Sequence, residues 1–225
     1  MIKSVIFDLD GTLLDTSEGV ISSVEKMIDH YGFRKLSREE LETFIGPPIS
    51  KSVIRHYGLD DEKALEAMKY FRKEYISENP GGEKADLFKG SVYPGMEKLL
   101  QDLRNIGIKV GVATYKQENQ AKALLEDKDI AKYFDVIHGA DPEGKLTKAD
   151  VVALSIRELG HTPEETVMVG DSDNDAIGAE GADALFIGVT YGFGFKKTED
   201  VEEFQNIGIS PTTEGVLEIV NNYNK

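Results

Sequence analysis

From Met96 onward, short apolar runs and helical apolar periodicities take turns, and this alternation constrains the fold of the 225-residue chain more than any other feature. Met96, Leu99, Leu100, Leu103 and Ile106 read as a helix stopped by Gly107, followed by a strand over 109–113. A helix through Ala121, Leu124 and Leu125 leads to a strand over 134–138, and Val151, Val152, Ser155, Ile156 and Leu159 lie on one helical face. Thr162-Pro163-Glu164-Glu165 caps a short turn before a strand over 166–169, and a helix through Ala176 and Ala179 precedes a strand over 184–189. Val216, Ile219, Val220 and Tyr223 close the chain as a helix. Strands alternating with helices predict an α/β fold built on a doubly wound parallel sheet.

The sheet has one more strand, far upstream. Ile2 and Val5-Ile6-Phe7 read as a buried strand that stops at Asp8-Leu9-Asp10-Gly11-Thr12. Between it and the alternating region lies a block of helices. Asp15 and Glu18 have capping-box spacing ahead of Val20, Ile21, Val24, Met27, Ile28 and Tyr31. A second helix opens at Ser37 with Glu40 three residues on and is broken at Gly46-Pro47-Pro48. A third runs from about Ser50 to Tyr57, and a fourth from about Asp60 places Leu65, Met68, Phe71 and Tyr75 on one face. Residues 79–95, with Asn79-Pro80-Gly81-Gly82 and Tyr93-Pro94-Gly95, read as the loop that leaves this block. The expected organisation is a core of residues 1–14 and 85–225 interrupted by a helical domain over 15–84, and two tethers suggest a hinged lid.

The chemistry gathers at strand ends. Side chains alternate along an extended chain, so Asp8 and Asp10 are expected to point the same way, at the carboxyl edge where open α/β sheets bind ligands. Gly11 permits a sharp turn, and Thr12 offers a hydroxyl and an N–H to an anion. Thr114 follows the strand over 109–113, Lys148 opens a helix, and Gly170-Asp171-Ser172-Asp173-Asn174-Asp175 follows the strand over 166–169. Each of these also has a plain structural explanation, as a turn residue, a solvated lysine or a helix cap; their shared edge is what sets them apart. Two like charges about 4 Å apart repel by about 4 kcal/mol at an effective dielectric near 20. A pocket of three carboxylates therefore favours a hard divalent cation, Mg²⁺ being usual for phosphate chemistry.

Several alternatives fall away. Asp171, Asp173 and Asp175 have calcium-loop spacing, but Ala176 and Ala182 stand where such a loop needs Gly and Glu. Gly192-Phe193-Gly194 begins like a dinucleotide fingerprint, yet Lys197 occupies the third glycine position. There is no cysteine, which excludes disulfides, thiolate catalysis and cysteine zinc sites. His30, His56, His138 and His161 are scattered, and Arg72 and Lys116 are read as solvated. A formal charge of −15 disfavours nucleic acid and anionic membranes as partners. With no window of membrane-spanning length and no signal peptide, a cytoplasmic protein is expected.

Asp8-x-Asp10-Gly11-Thr12, Thr114, Lys148 and Gly170-Asp171-x-x-x-Asp175 resemble, in order, the four motifs of the haloacid dehalogenase superfamily. Val92-Tyr93-Pro94-Gly95, the stretch from Gly188 to Gly194 and the helical insert are similar to its phosphoglycolate phosphatase group. The resemblance implies that Asp8 is a nucleophile forming an aspartyl-phosphate, and that Asp10 protonates the leaving oxygen and then deprotonates water. It implies Mg²⁺ held by Asp8, the Asp10 carbonyl and Asp171 with Asp175 nearby, phosphate oxygens bound by Thr114 and Lys148, and a helical cap over a small phosphorylated metabolite. Lys145 is a second candidate for the motif lysine, and Tyr115 stands where many relatives carry a small or amide residue. A nucleotidase or pyrophosphatase, a phosphomutase of the β-phosphoglucomutase type, and a non-catalytic receiver-like module are the alternatives to a phosphatase of this group.

Overall fold

The computed structural model describes residues 1–225 apart from Gly81 and Gly144. The chain begins with β1 (Ser4–Phe7) and β2 (Leu14–Asp15), then passes through α1 (Ser17–Tyr31), α2 (Arg38–Glu42), α3 (Ile49–Tyr57) and α4 (Asp61–Ile76). After β3 (Ser91–Val92) come α5 (Met96–Asn105), β4 (Lys109–Gln117), α6 (Glu118–Asp127) and β5 (Val136–Ala140). It closes with α7 (Lys148–Leu159), β6 (Thr166–Gly170), α8 (Asp173–Gly181), β7 (Leu185–Val189), α9 (Thr198–Glu202), β8 (Gly208–Ser210) and α10 (Thr213–Tyr223). These elements form two compact units, one of Met1–Asp15 with Val92–Lys225 and the other of Thr16–Ser91.

The first unit is built on a six-stranded sheet in the order β5-β4-β1-β6-β7-β8, with every pairing parallel. β1 is central because all four of its residues are buried, as a strand covered on both faces must be. Its Val5 lies between Val110 of β4 and Val167 of β6. One face packs on Val151, Val152, Ile156 and Leu159 of α7 and on Ala176 and Ala179 of α8, with Ile6 and Met168 contributed by the sheet. β4 runs four residues beyond the expected end at Ala113. From Ala113 to Gln117 it advances four residues while β5 advances two, from His138 to Ala140, so Thr114, Tyr115 and Lys116 buckle out of register. Gly139 of β5 makes room for this bulge, since a Cβ there would lie 2.4 Å from the Lys116 carbonyl oxygen. The short α9 and β8 were not expected from the sequence, and the strand expected over 134–138 is shifted by two residues.

In the second unit α1 buries Val20, Ile21, Val24, Met27 and Ile28. On α4 the buried stripe is Ala64, Ala67, Phe71 and Tyr75, whereas Leu65, expected on that face, is 43% exposed. Ser37 and Glu40 form the expected capping box of α2. α1 instead takes Thr16 as its N-cap residue, with no capping bond from the Thr16 side chain, where the spacing had placed the capping pair at Asp15 and Glu18. The loop expected over 79–95 contains a 3₁₀ turn, Asp86–Lys89, and part of the expected Asn79–Gly82 turn, Gly81, is outside the described residues. Asp86 is wholly buried in this unit. It accepts from Ser23 at 2.8 Å and Asn79 at 3.0 Å and pairs with Lys26 at 2.9 Å and Lys89 at 3.0 Å.

Candidate active site

The site lies at the carboxyl ends of β1, β4 and β6. Asp8 follows β1 directly, its N–H donating to the Val169 carbonyl at 2.9 Å. The chain then turns on the buried Leu9, whose carbonyl accepts from Leu13 and Leu14, both at 3.0 Å. β1 therefore ends at Phe7, and the strand alternation expected to align Asp8 with Asp10 does not extend that far. Gly11 stands at φ +91° with Asp171 against it; a Cβ would lie 2.4 Å from Asp171 Oδ2.

Asp8, Asp171 and Asp175 converge, with one carboxylate oxygen of each within 4.8 Å of the others and all three residues buried. Lys148 Nζ, on a side chain 4% exposed, lies 2.7 Å from Asp8 Oδ1 and 2.7 Å from Asp175 Oδ1. The contact to Asp175 lacks hydrogen-bond alignment, so it is ionic rather than directed. The other Asp175 oxygen accepts from the Ser172 N–H at 3.1 Å and hydroxyl at 2.7 Å, so Asp175 caps α8 as well as facing the cluster. Lys145 is exposed, and its backbone N–H donates to Asp141 Oδ1 at 2.8 Å.

Asp171 is the most restrained of the acids. Its Oδ1 accepts from the Thr12 hydroxyl at 3.0 Å, and its Oδ2 accepts from the Phe193 N–H at 2.8 Å and the Gly194 N–H at 3.0 Å. This is the role of the Gly192-Phe193-Gly194 stretch: a Cβ on Gly192 would fall 2.3 Å from the Gly11 carbonyl and 2.4 Å from Asp171 Oδ2. Tyr191 donates to the Thr12 carbonyl at 3.0 Å and packs edge-on against Tyr93.

Asp10 takes a different partner from the other acids. Its carboxylate lies 3.2 Å from Lys116 Nζ, and the two side chains are 9% and 6% exposed. The expectation that Lys116 is solvated is therefore corrected. The bulge in β4 turns its stem inward, while the Lys116 N–H donates to the buried Thr114 hydroxyl at 3.1 Å. Gly178 of α8 is another residue the sequence reading missed. A Cβ there would meet Lys148 Cγ at 2.4 Å, so a glycine leaves the lysine its path to the carboxylates. Arg72 lies in the helical unit and is half-buried. None of the four histidines joins the cluster; His138 bridges Glu158 at 2.9 Å and Glu118 at 3.3 Å.

Three carboxylates against one ammonium leave two negative charges uncompensated if all are ionised. Burial pushes the Asp8 carboxyl up to about 8; Lys148 opposes the shift, and Asp175, Asp171 and Asp10 reinforce it. Asp171 is raised to about 6, again by burial first and Asp175 second, against its three hydrogen-bond donors. Burial disfavours the charged Lys148, but Asp175 and Asp8 outweigh it and raise its pKa. An all-oxygen donor set with surplus negative charge fits a hard divalent cation.

The family model described as haloacid dehalogenase-like hydrolase matches residues 5–189. The tyrosine-protein kinase PtkA of Mycobacterium tuberculosis is 36% identical over 84% of this chain, which spans 62% of that protein. A 5′-nucleotidase of Pseudomonas aeruginosa is 31% identical over 85% of this chain and 84% of its own length. Among solved structures, a predicted phosphatase from Clostridium acetobutylicum superposes with a TM-score of 0.90 at 32% identity, covering 99% of this chain and 100% of that one.

Proposed function

This chain belongs to the haloacid dehalogenase-like hydrolase family, and from that membership we propose that it is a Mg²⁺-dependent phosphatase of a small phosphomonoester. The observation that carries this reading is Lys148 set between Asp8 and Asp175, with Asp171 completing the cluster. Asp8 is the nucleophile: its Oδ2 attacks phosphorus, the ester bond to the leaving oxygen breaks, and an aspartyl-phosphate forms. Asp10 hands a proton to that oxygen and later takes one from the water that cleaves the acyl phosphate. Lys148 and the Thr114 hydroxyl are the groups that would bind the phosphate oxygens and offset their charge. The Gly11 and Thr12 N–H groups, expected from the sequence to serve an anion, donate instead to the Leu14 carbonyl at 2.9 Å and the Leu9 carbonyl at 3.4 Å. Asp8, the Asp10 carbonyl and Asp171 would hold Mg²⁺, with Asp175 beside them; bound there, the ion neutralises the surplus carboxylate charge and orients the phosphate.

The substrate is read as a phosphorylated metabolite in the manner of phosphoglycolate phosphatases, with the Thr16–Ser91 unit acting as a cap that selects the leaving group. The 5′-nucleotidase relative supports a nucleoside monophosphate as the second reading. A cytoplasmic setting is part of the proposal; among the described residues no helix is long and apolar enough to cross a membrane.

The test is phosphate release from phosphoglycolate, nucleoside monophosphates, pyrophosphate and sugar phosphates, each with Mg²⁺ and with chelator. Release that needs Mg²⁺ and falls by at least about a thousandfold in Asp8→Asn is the expected outcome. Full turnover in that variant would remove Asp8 as nucleophile.

A further inference from the structure

We propose that Tyr115 is a positioning residue for Lys148, bracing it from both ends of the side chain. The proposal rests on Lys148 being the cation that faces the phosphate. α7 begins at Lys148, and its first N–H groups have no partner within the helix. The Thr147 hydroxyl accepts from the Asp150 N–H at 3.2 Å, which leaves the Lys148 N–H outside that capping arrangement. Tyr115 supplies its partner, the phenol oxygen accepting from the Lys148 N–H at 3.1 Å across 33 residues of sequence. The Tyr115 ring then passes beneath the other end of the same residue, with Lys148 Nζ 5.6 Å from its centroid. One side chain thus fixes where α7 starts and offers its electron-rich face to the ammonium.

The bulge in β4 is what makes this reach possible. A regular strand would send Tyr115 to the face opposite Thr114, into the layer of helices or of solvent. The two additional residues between Ala113 and Gln117 re-aim it at the first turn of α7. On the other side, Gly178 leaves the lysine stem its path, so Lys148 runs between a tyrosine and a glycine that hold it on one course.

Two substitutions separate the contributions. Tyr115→Phe keeps the ring and removes the hydroxyl; Tyr115→Leu removes both. On the preferred phosphate ester, kcat is expected to fall about three- to tenfold in the first and about tenfold further in the second. The Mg²⁺ concentration for half-maximal activity is expected to shift by less than kcat falls, because Tyr115 acts on Lys148, whose ammonium lies 2.7 Å from Asp8 Oδ1 and faces the phosphate rather than the ion. Amide hydrogen exchange at Lys148, read without turnover, should quicken about tenfold or more in Tyr115→Phe. Wild-type kcat in both variants, or a loss matched by an equal shift in the Mg²⁺ requirement, overturns the brace. If the wild-type protein releases no phosphate from any ester, the phosphatase reading falls separately. The exchange measurement then decides the brace alone: quickened exchange sustains it, and unchanged exchange overturns it.

Discussion

Asp86 and Lys116 are both charged groups whose burial no local pattern announces. In the helical unit Asp86 is fully enclosed, and although burial works to raise its pKa, the bonds from Lys26, Asn79, Lys89 and Ser23 outweigh it and hold the carboxyl below its usual range. A depressed carboxylate contributes stability that is present above its ordinary pKa, near 4, and is lost as pH falls toward the lower folded value. Asp86→Asn keeps the shape and removes the charge, leaving two lysines without their counter-ion. It should cost about 2 to 3 kcal/mol at neutral pH, and the difference from wild type should narrow as pH drops below about 4. Chemical denaturation across pH, with amide exchange over Thr16–Ser91, checks both size and sign; a difference independent of pH would mean that packing rather than charge is lost. Lys116 is the corresponding case in the α/β unit. Its neighbours in sequence are polar and its strand was expected to stop at Ala113, so its pairing with Asp10 depended on a bulge that periodicity does not encode.

Helices and strands sort by how local their causes are. The strand leading into Asp8, the helix opening at Lys148 and the acidic turn after β6 were legible because apolar runs, a glycine and a polar break lie within a few residues of each other. α4 was recognised as a helix but turned to the wrong face, since the alanines of its buried stripe carry little hydrophobic signal beside Leu65. β8, three residues long, has too little pattern to stand out. Packing between elements was illegible altogether, and α8 makes the point. Glycine inside a helix usually costs about 1 kcal/mol relative to alanine, so Gly178→Ala would ordinarily stabilise. Here the added methyl would collide with Lys148. The expected outcome is a folded protein with no gain in melting temperature and kcat lowered about 10- to 100-fold, checked by calorimetry beside phosphate release. Undiminished kcat would mean that the lysine reaches the carboxylates by another course.

Taken as a whole, the molecule carries a formal charge of −15, yet the proposed substrate is an anion. The long-range field therefore opposes encounter, while Lys116 and Lys148 attract only at short range. Raising ionic strength from about 10 to about 150 mM shortens the screening length from about 30 to about 8 Å, which hides the distant charges first. With Mg²⁺ held constant, kcat/KM should rise about two- to fivefold over that range. A fall would place the governing charges inside the pocket. The backbone around the acids has a related consequence, in entropy. With Gly11, Gly170, Gly192 and Gly194 drawn against Asp171 and Asp175, main-chain atoms stand where side chains would otherwise leave space. Such carboxylates have few rotamers to explore, so little disorder remains to be lost when a doubly charged ester and its counter-ion arrive, and the pocket meets its ligand already arranged.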